Sequence, residues 1–187
     1  EAALTKAMSR IAELNKKLSD YDLESELSRL SETSLATPSH APLLSPVRAS
    51  DDLWTVLVES QRLSQASGGA LDITIGPLTK LWRRARRWKE LPEPAALATA
   101  QAAVGYQFLR LDPQMRTAQL LQPNMRLDLG AIAKGYAADE ALKAIESQGI
   151  DRVLVRASGD IAVGEAPPGE RGWRVGRAVT PTCSRLS

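Results

Sequence analysis

The run Arg126-Leu-Asp-Leu-Gly-Ala-Ile-Ala-Lys-Gly-Tyr-Ala-Ala-Asp139 constrains this chain more than any other segment. Residues 125–129 read as a strand, Gly130 as a turn, and 132–148 as a helix with Gly149 past its end. A strand that delivers Asp128 to a glycine turn opening a helix makes a place suited to an anion. Free backbone N–H groups and the positive end of the helix dipole favour negative charge there. Gly130 permits close approach, and Lys134 adds a cation in the first turn. A diphosphate, with or without a divalent cation, is the natural guest. The run matches neither G-x-x-x-x-G-K-[ST] nor G-x-G-x-x-G, so it is neither a P-loop nor a dinucleotide fingerprint. On local physics alone, an ordinary strand-to-helix turn with a solvated lysine is the simpler account.

Elsewhere, Leu4, Met8, Ile11, Leu14 and Leu18 recur at helical spacing and predict an amphipathic helix over 3–18. Residues 19–28 are polar, with Tyr21, Leu23 and Leu27 set into them, and read as a turn plus a short helical piece. Pro38, Pro42 and Pro46 among many Ser and Thr mark 31–50 as surface loop. A helix over 51–64, capped by Ser50 or Asp51, would turn Leu53, Leu57 and Leu63 inward. Residues 67–77 alternate like a short strand ending at Gly76-Pro77, and 78–89 form a strongly basic helix. Pro94 suits the first turn of an Ala-rich helix with Gly105 as its C-terminal cap. Residues 107–111 and 117–121 read as a hairpin, and 153–155, 161–163 and 173–175 as short strands. The irregular alternation predicts an α+β fold, a single domain over 1–176 with a mixed or antiparallel sheet and packed helices. Residues 177–187 read as an aberrant or disordered tail.

With 187 residues, 43% apolar and 25% charged, the chain can bury a real core. No apolar run approaches the roughly 20 residues of a membrane helix. A net charge of +2 gives no argument for a nucleic-acid partner. The single cysteine, Cys183, cannot make an internal disulfide or a cysteine-based zinc site. The chain starts at Glu1 without a leader, as expected of a fragment or of a protein whose signal segment has been removed.

Three further segments could carry chemistry. Gly68-Gly-Ala-Leu-Asp72, followed by Thr74 and Gly76-Pro77, permits positive backbone dihedrals and contact with a flat ligand, or is simply a loop before an edge strand. Tyr21, beside Glu24-Ser-Glu-Leu-Ser28, could stack on a ring system or pack in the core. Arg83-Arg-Ala-Arg-Arg-Trp-Lys89 could grip phosphates and stack a base, but such a run is usually a solvated helix face. A serine hydrolase is disfavoured, with no G-x-S-x-G and with His40, the only histidine, in the Pro/Ser-rich loop.

In order and spacing these segments resemble the ApbE family of FAD:protein FMN transferases. The matching pieces are Tyr21 with Ser25-Glu-Leu-Ser-Arg-Leu30, Gly69-Ala-Leu-Asp-Ile-Thr-Ile-Gly-Pro-Leu78 with Leu81-Trp82, Leu127 to Asp139, and Ser158-Gly-Asp-Ile161. Ala131 stands where the family has a second glycine, and Ser158 where it has a first. The resemblance implies Mg²⁺-dependent transfer of FMN from FAD to a threonine or serine hydroxyl of a target protein, with release of AMP. It implies flavin-nucleotide contacts at Tyr21, Ala70, Leu71, Asp72, Asp128 and Lys134, and a backbone oxygen for the metal at Ala131. It implies a periplasmic or cell-envelope location, with anchoring through a leader that precedes this chain.

The family's Met-Gly-Thr strand, its His-x-x-Asp-Pro segment and its Ala-Asp-x-x-x-Thr-Ala helix do not occur here. The catalytic residues are therefore unassigned, and the expected state is a chain truncated at both ends. Exposed sheet edges, poor solubility or a partner chain would follow. The competing expectation is a module that binds a flavin nucleotide without catalysis.

Overall fold

Buried serines, as much as leucines, hold the centre of this protein together. The computed structural model describes residues 1–35 and 43–176; His40 and Cys183 lie outside the described residues. Helix α1 (Ala2–Leu18) packs along α6 (Ala133–Glu146), and α6 packs on the hairpin of β4 (Leu154–Ala157) and β5 (Asp160–Val163). The short α2 (Glu26–Glu32) and the long α3 (Asp51–Ala66) cover a three-stranded antiparallel sheet in the order β1-β3-β2. Its strands are β1 (Val47–Arg48), β2 (Leu109–Asp112) and β3 (Thr117–Leu120), with Leu109 opposite Leu120 and Val47 opposite Ala118. Helices α4 (Gly76–Trp88) and α5 (Pro94–Ala102) pack on each other between α3 and β2 in the chain. The core joins Leu14 and Leu18 to Leu27, Leu30, Leu53, Leu57, Ile73, Leu120 and Leu127. These helices and antiparallel strands make the predicted α+β class.

The buried stripe of α1 differs from the predicted one. Leu14 and Leu18 are buried, but Leu4 and Met8 are exposed, and Ala3 and Ala7 face inward instead. The buried residues of α6 are also alanines, Ala138 and Ala141, and small side chains let two helices approach closely. In α3, Ser50 is the N-cap and Leu53 and Leu57 are buried, while Leu63 is only partly covered.

Residues 67–77 are turns rather than a strand. Gly68 and Gly69 have positive φ, and Ile75 alone bridges in parallel to Arg126. Pro77 begins α4 instead of ending a strand, because proline suits the first turn of a helix. Residues 125–129 are extended but build no ladder. Ser31 Oγ accepts the Leu127 N–H at 3.1 Å, Ser34 Oγ donates to the Met125 carbonyl at 2.7 Å, and the Asp128 N–H donates to the Ile73 carbonyl at 2.7 Å. Buried hydroxyls thus take the place of a neighbouring strand. For that reason the predicted 31–50 loop starts late, with Ser31 and Glu32 inside α2, and its far end pairs as β1. Residues 173–175 form no strand; the Trp173 indole N–H donates to the Glu165 carbonyl at 2.9 Å. The cap of α5 is Ala103, and Gly105 instead opens the 3-10 turn Tyr106–Phe108.

Candidate functional site

Two cavities meet at the turn from Asp128 into α6. The first, of about 550 Å³, is bounded by the 69–73 turn, Ile75, Thr79, Arg83, Asp128, Gly130 and Ala131. The second, of about 330 Å³, runs between α1 and α6 past Asp20, Tyr21, Leu129, Ala133 and Lys134. Arg83 and Gly130 border both. Ala70, Leu71, Asp72, Asp128 and Ala131 therefore share one cavity, and Tyr21 and Lys134 share the other.

The 69–75 turn is held by its own side chains. Asp72 Oδ1 accepts from the Thr74 N–H at 2.8 Å and from the Thr74 hydroxyl at 2.7 Å, and Asp72 Oδ2 accepts from the Tyr106 N–H at 2.9 Å. The buried Thr74 Oγ1 accepts in turn from the Gly105 N–H at 2.7 Å. Asp72 thus borders the cavity while its carboxylate fixes the shape of the turn, leaving Ala70 and Leu71 on the rim.

Across the cavity Asp128 is buried. Its Oδ1 accepts the Gly130 N–H at 2.9 Å and its Oδ2 accepts from Arg83 at 2.9 Å. The carboxylate folds over its own turn, and a Cβ on Gly130 would come within 3.0 Å of it. No side chain caps the start of α6; the Ala133 N–H donates to the Leu129 carbonyl at 2.8 Å, and Ala131 and Lys134 beside it are exposed. Asp160, from the turn between β4 and β5, approaches the same helix end; its Oδ1 would lie 3.9 Å from a Cβ on Gly135.

Arg83 is the residue that sequence reasoning missed. The basic run made it one of several solvated cations, and Arg84, Arg86, Arg87 and Lys89 are indeed exposed. Arg83 instead pairs with Asp20 and Asp128 and places its guanidinium 4.3 Å from the centre of the Tyr21 ring. Burial opposes its charge, but Asp20 and then Asp128 outweigh it, and its pKa is raised. The available signal was spacing: Ile75, Thr79 and Arg83 recur every four residues and all line the first cavity. Tyr21 is exposed rather than core, and is held from below by that cation.

The four motif blocks of the sequence converge on one helix start. The family model described as the ApbE family matches residues 1–182. The chain belongs to the ApbE family. It is 33% identical over 155 residues to the FAD:protein FMN transferase of Haemophilus influenzae, covering 81% of this chain and 43% of that protein. It is 32% identical over 184 residues to one from Klebsiella pneumoniae, covering 94% and 49%. The solved flavin transferase ApbE from Vibrio cholerae superposes with a TM-score of 0.79 at 29% identity, over 92% of this chain and 53% of that one. A Pseudomonas stutzeri ApbE structure, at 24% identity and a TM-score of 0.77, shares the fold. The chain spans about half the length of the ApbE relatives it matches.

The donor set at the turn does not make a metal site by itself. Among the described residues no group of three or more His, Cys, Asp or Glu could hold a metal ion. Asp128, the nearest carboxylate in the turn, is already engaged by Gly130 and Arg83.

Proposed function

We propose that this chain is the flavin-nucleotide-binding part of an FAD:protein FMN transferase. The observation that carries the reading is the pair of cavities meeting at Gly130, where a helix N-terminus, Lys134 and Arg83 surround the junction. A two-part nucleotide fits that shape, its rings in the cavities and its diphosphate at the positive junction. Tyr21, Ala70 and Leu71 offer surfaces to the rings, Asp72 shapes the turn that carries them, and Asp128 shapes the turn that presents Gly130. The Ala131 carbonyl is the one oxygen this chain would offer to a Mg²⁺, which would supply positive charge to the diphosphate.

In the transfer, an acceptor threonine or serine oxygen attacks the phosphorus on the riboflavin side of FAD. The bond between that phosphorus and the bridging oxygen breaks, AMP leaves, and the hydroxyl proton passes to a base. The role of the residues described here is to hold the diphosphate and exclude water from it. The full activity and its acceptor protein are proposed from the relatives' activity, and a location on the outer face of the cytoplasmic membrane from the family resemblance alone. Among the described residues, no helix is long and apolar enough to cross a membrane.

The test is titration with FAD, with and without Mg²⁺, while AMP is assayed in the presence of a threonine-bearing acceptor. FAD binding with AMP release supports transfer by this chain. Binding without AMP supports the second reading, a flavin-nucleotide module. Absence of FAD binding defeats both.

A further inference from the structure

We propose that Arg83 is a substrate-binding residue that grips the diphosphate of FAD and sets the preference of this chain for the dinucleotide over simpler flavins. The proposal rests on the FAD reading above. Among the described residues, Arg83 is the only charged side chain that borders both cavities; the other shared residue is Gly130. A ligand that fills both must pass its linker between them. In a flavin dinucleotide that linker is the diphosphate.

Two contacts hold the guanidinium at this junction before any ligand arrives. Nη1 donates to Asp20 of the α1–α2 connection, and Nη2 donates to Asp128 of the α6 turn. The Tyr21 ring flanks it at 4.3 Å. Its side chain keeps about a third of its exposure, whereas that of Asp128 keeps 9%. Two of its five N–H donors are used by carboxylates, which leaves three for a ligand. An arginine fork suits two oxygens of one phosphate, and one already held in place loses little freedom on binding.

The two carboxylates sharpen the consequence of losing the charge. With Arg83 in place, the diphosphate meets a cation; without it, Asp20 and Asp128 face the diphosphate unscreened. Lys134, on the other side of Gly130, is then left as the charged neighbour opposing that repulsion.

The experiment is titration of the full chain with FAD, FMN and riboflavin, followed by flavin fluorescence, at two salt concentrations. The proteins are the parent, Arg83→Gln, Arg83→Lys, and Arg87→Gln as a control one turn further along α4, exposed and outside both cavities. Arg83→Gln is expected to weaken FAD about tenfold or more, FMN less, and riboflavin within about twofold, and to flatten the salt dependence of FAD binding. Arg83→Lys keeps the charge without the fork and should fall between. Arg87→Gln should match the parent. Parallel weakening of FAD and riboflavin would mean that Arg83 is only a latch between the Tyr21 loop and the turn, and would overturn the proposal. So would unchanged FAD affinity. If the glutamine variant does not fold, the FAD-to-riboflavin ratio of the lysine variant decides. If the parent binds none of the three flavins, the FAD reading itself fails, and the role of Arg83 with it.

Discussion

Gly76 lies so close to the backbone of Arg126 that a Cβ on it would stand 2.7 Å from the Arg126 carbonyl carbon. The neighbouring residue, Ile75, bridges to Arg126 in parallel. This contact, with the Asp128 N–H donated to the Ile73 carbonyl, holds the glycine turn that carries Leu71 and Asp72 beside the turn that carries Asp128. Gly76→Ala should therefore cost about 2–3 kcal/mol, because backbone rather than a flexible side chain must move. Urea unfolding would show it, and a change below about 0.5 kcal/mol would contradict the close approach.

Thr74→Val removes a hydroxyl while keeping the shape. Thr74 Oγ1 donates to Asp72 and accepts from the Gly105 N–H, and the residue is fully buried. The substitution leaves a buried N–H without a partner and should cost about 2 kcal/mol, more than an exposed Thr→Val exchange. Thermal unfolding of Thr74→Val against Thr55→Val, an exposed position on α3, makes the comparison.

A second polar cluster, away from the cavities, ties α1, α3 and α6 together. Asp52 accepts from Arg10, from Lys17 at 2.6 Å and from the Tyr136 hydroxyl at 2.8 Å, and Arg10 also pairs with Glu140. The Arg10 guanidinium first, against the cost of burial, and then Lys17 and Tyr136 hold the Asp52 carboxyl well below the usual carboxylate range. Asp52→Asn should cost about 2 kcal/mol near neutral pH, since it takes the shared anion from the half-buried Arg10 and Lys17 and leaves Arg10 only Glu140. A depressed native pKa means that the unfolded chain takes up the proton first. The stabilisation is complete above the unfolded value of about 3.9 and is lost as pH falls below it. The gap in stability between the parent and Asp52→Asn should therefore narrow from about pH 6 to about pH 3. A constant gap would show that the charge of Asp52 is not what stabilises.

Ser158 sits at the first of the two turn residues joining β4 to β5, with a φ of 60°. That is the left-handed region, which costs a serine more than a glycine, and glycine is preferred at such hairpin turns. Ser158→Gly should stabilise the protein by about 0.5–1 kcal/mol despite the added freedom of the unfolded chain. Thermal unfolding would register it as a raised Tm, and a lowered Tm would mean that the Ser158 side chain contributes something that outweighs the strain.

The helices were legible because their signals are local. Leucine, methionine and isoleucine spacing marked α1, the serine cap and following acids marked the start of α3, and a glycine past its end bounded α6. The motif blocks also identified most of what borders the two cavities, because a glycine turn before a helix has the same local physics in any fold. Misreadings arose where a backbone group finds its partner far away in sequence. Residues 67–77 alternate like a strand, yet Asp72 and Thr74 capture one another and the backbone at Gly105 and Tyr106. Residues 125–129 look like a strand because their neighbours, Ser31 and Ser34, are 91 or more positions away.

By itself the sequence determined the α+β class, the main helices and the family, since each rests on short-range spacing. Tertiary structure alone decided which face of α1 is buried, and that Ala3 and Ala7 lie on it. It also decided that one arginine of a basic run belongs to the site. Spacing sets Arg83 in line with Ile75 and Thr79, but what it meets is decided only when α4 is set down on the turn of Asp128. A charge takes its role from the partners that folding brings to it, and Asp20 and Asp128 lie 63 and 45 residues away.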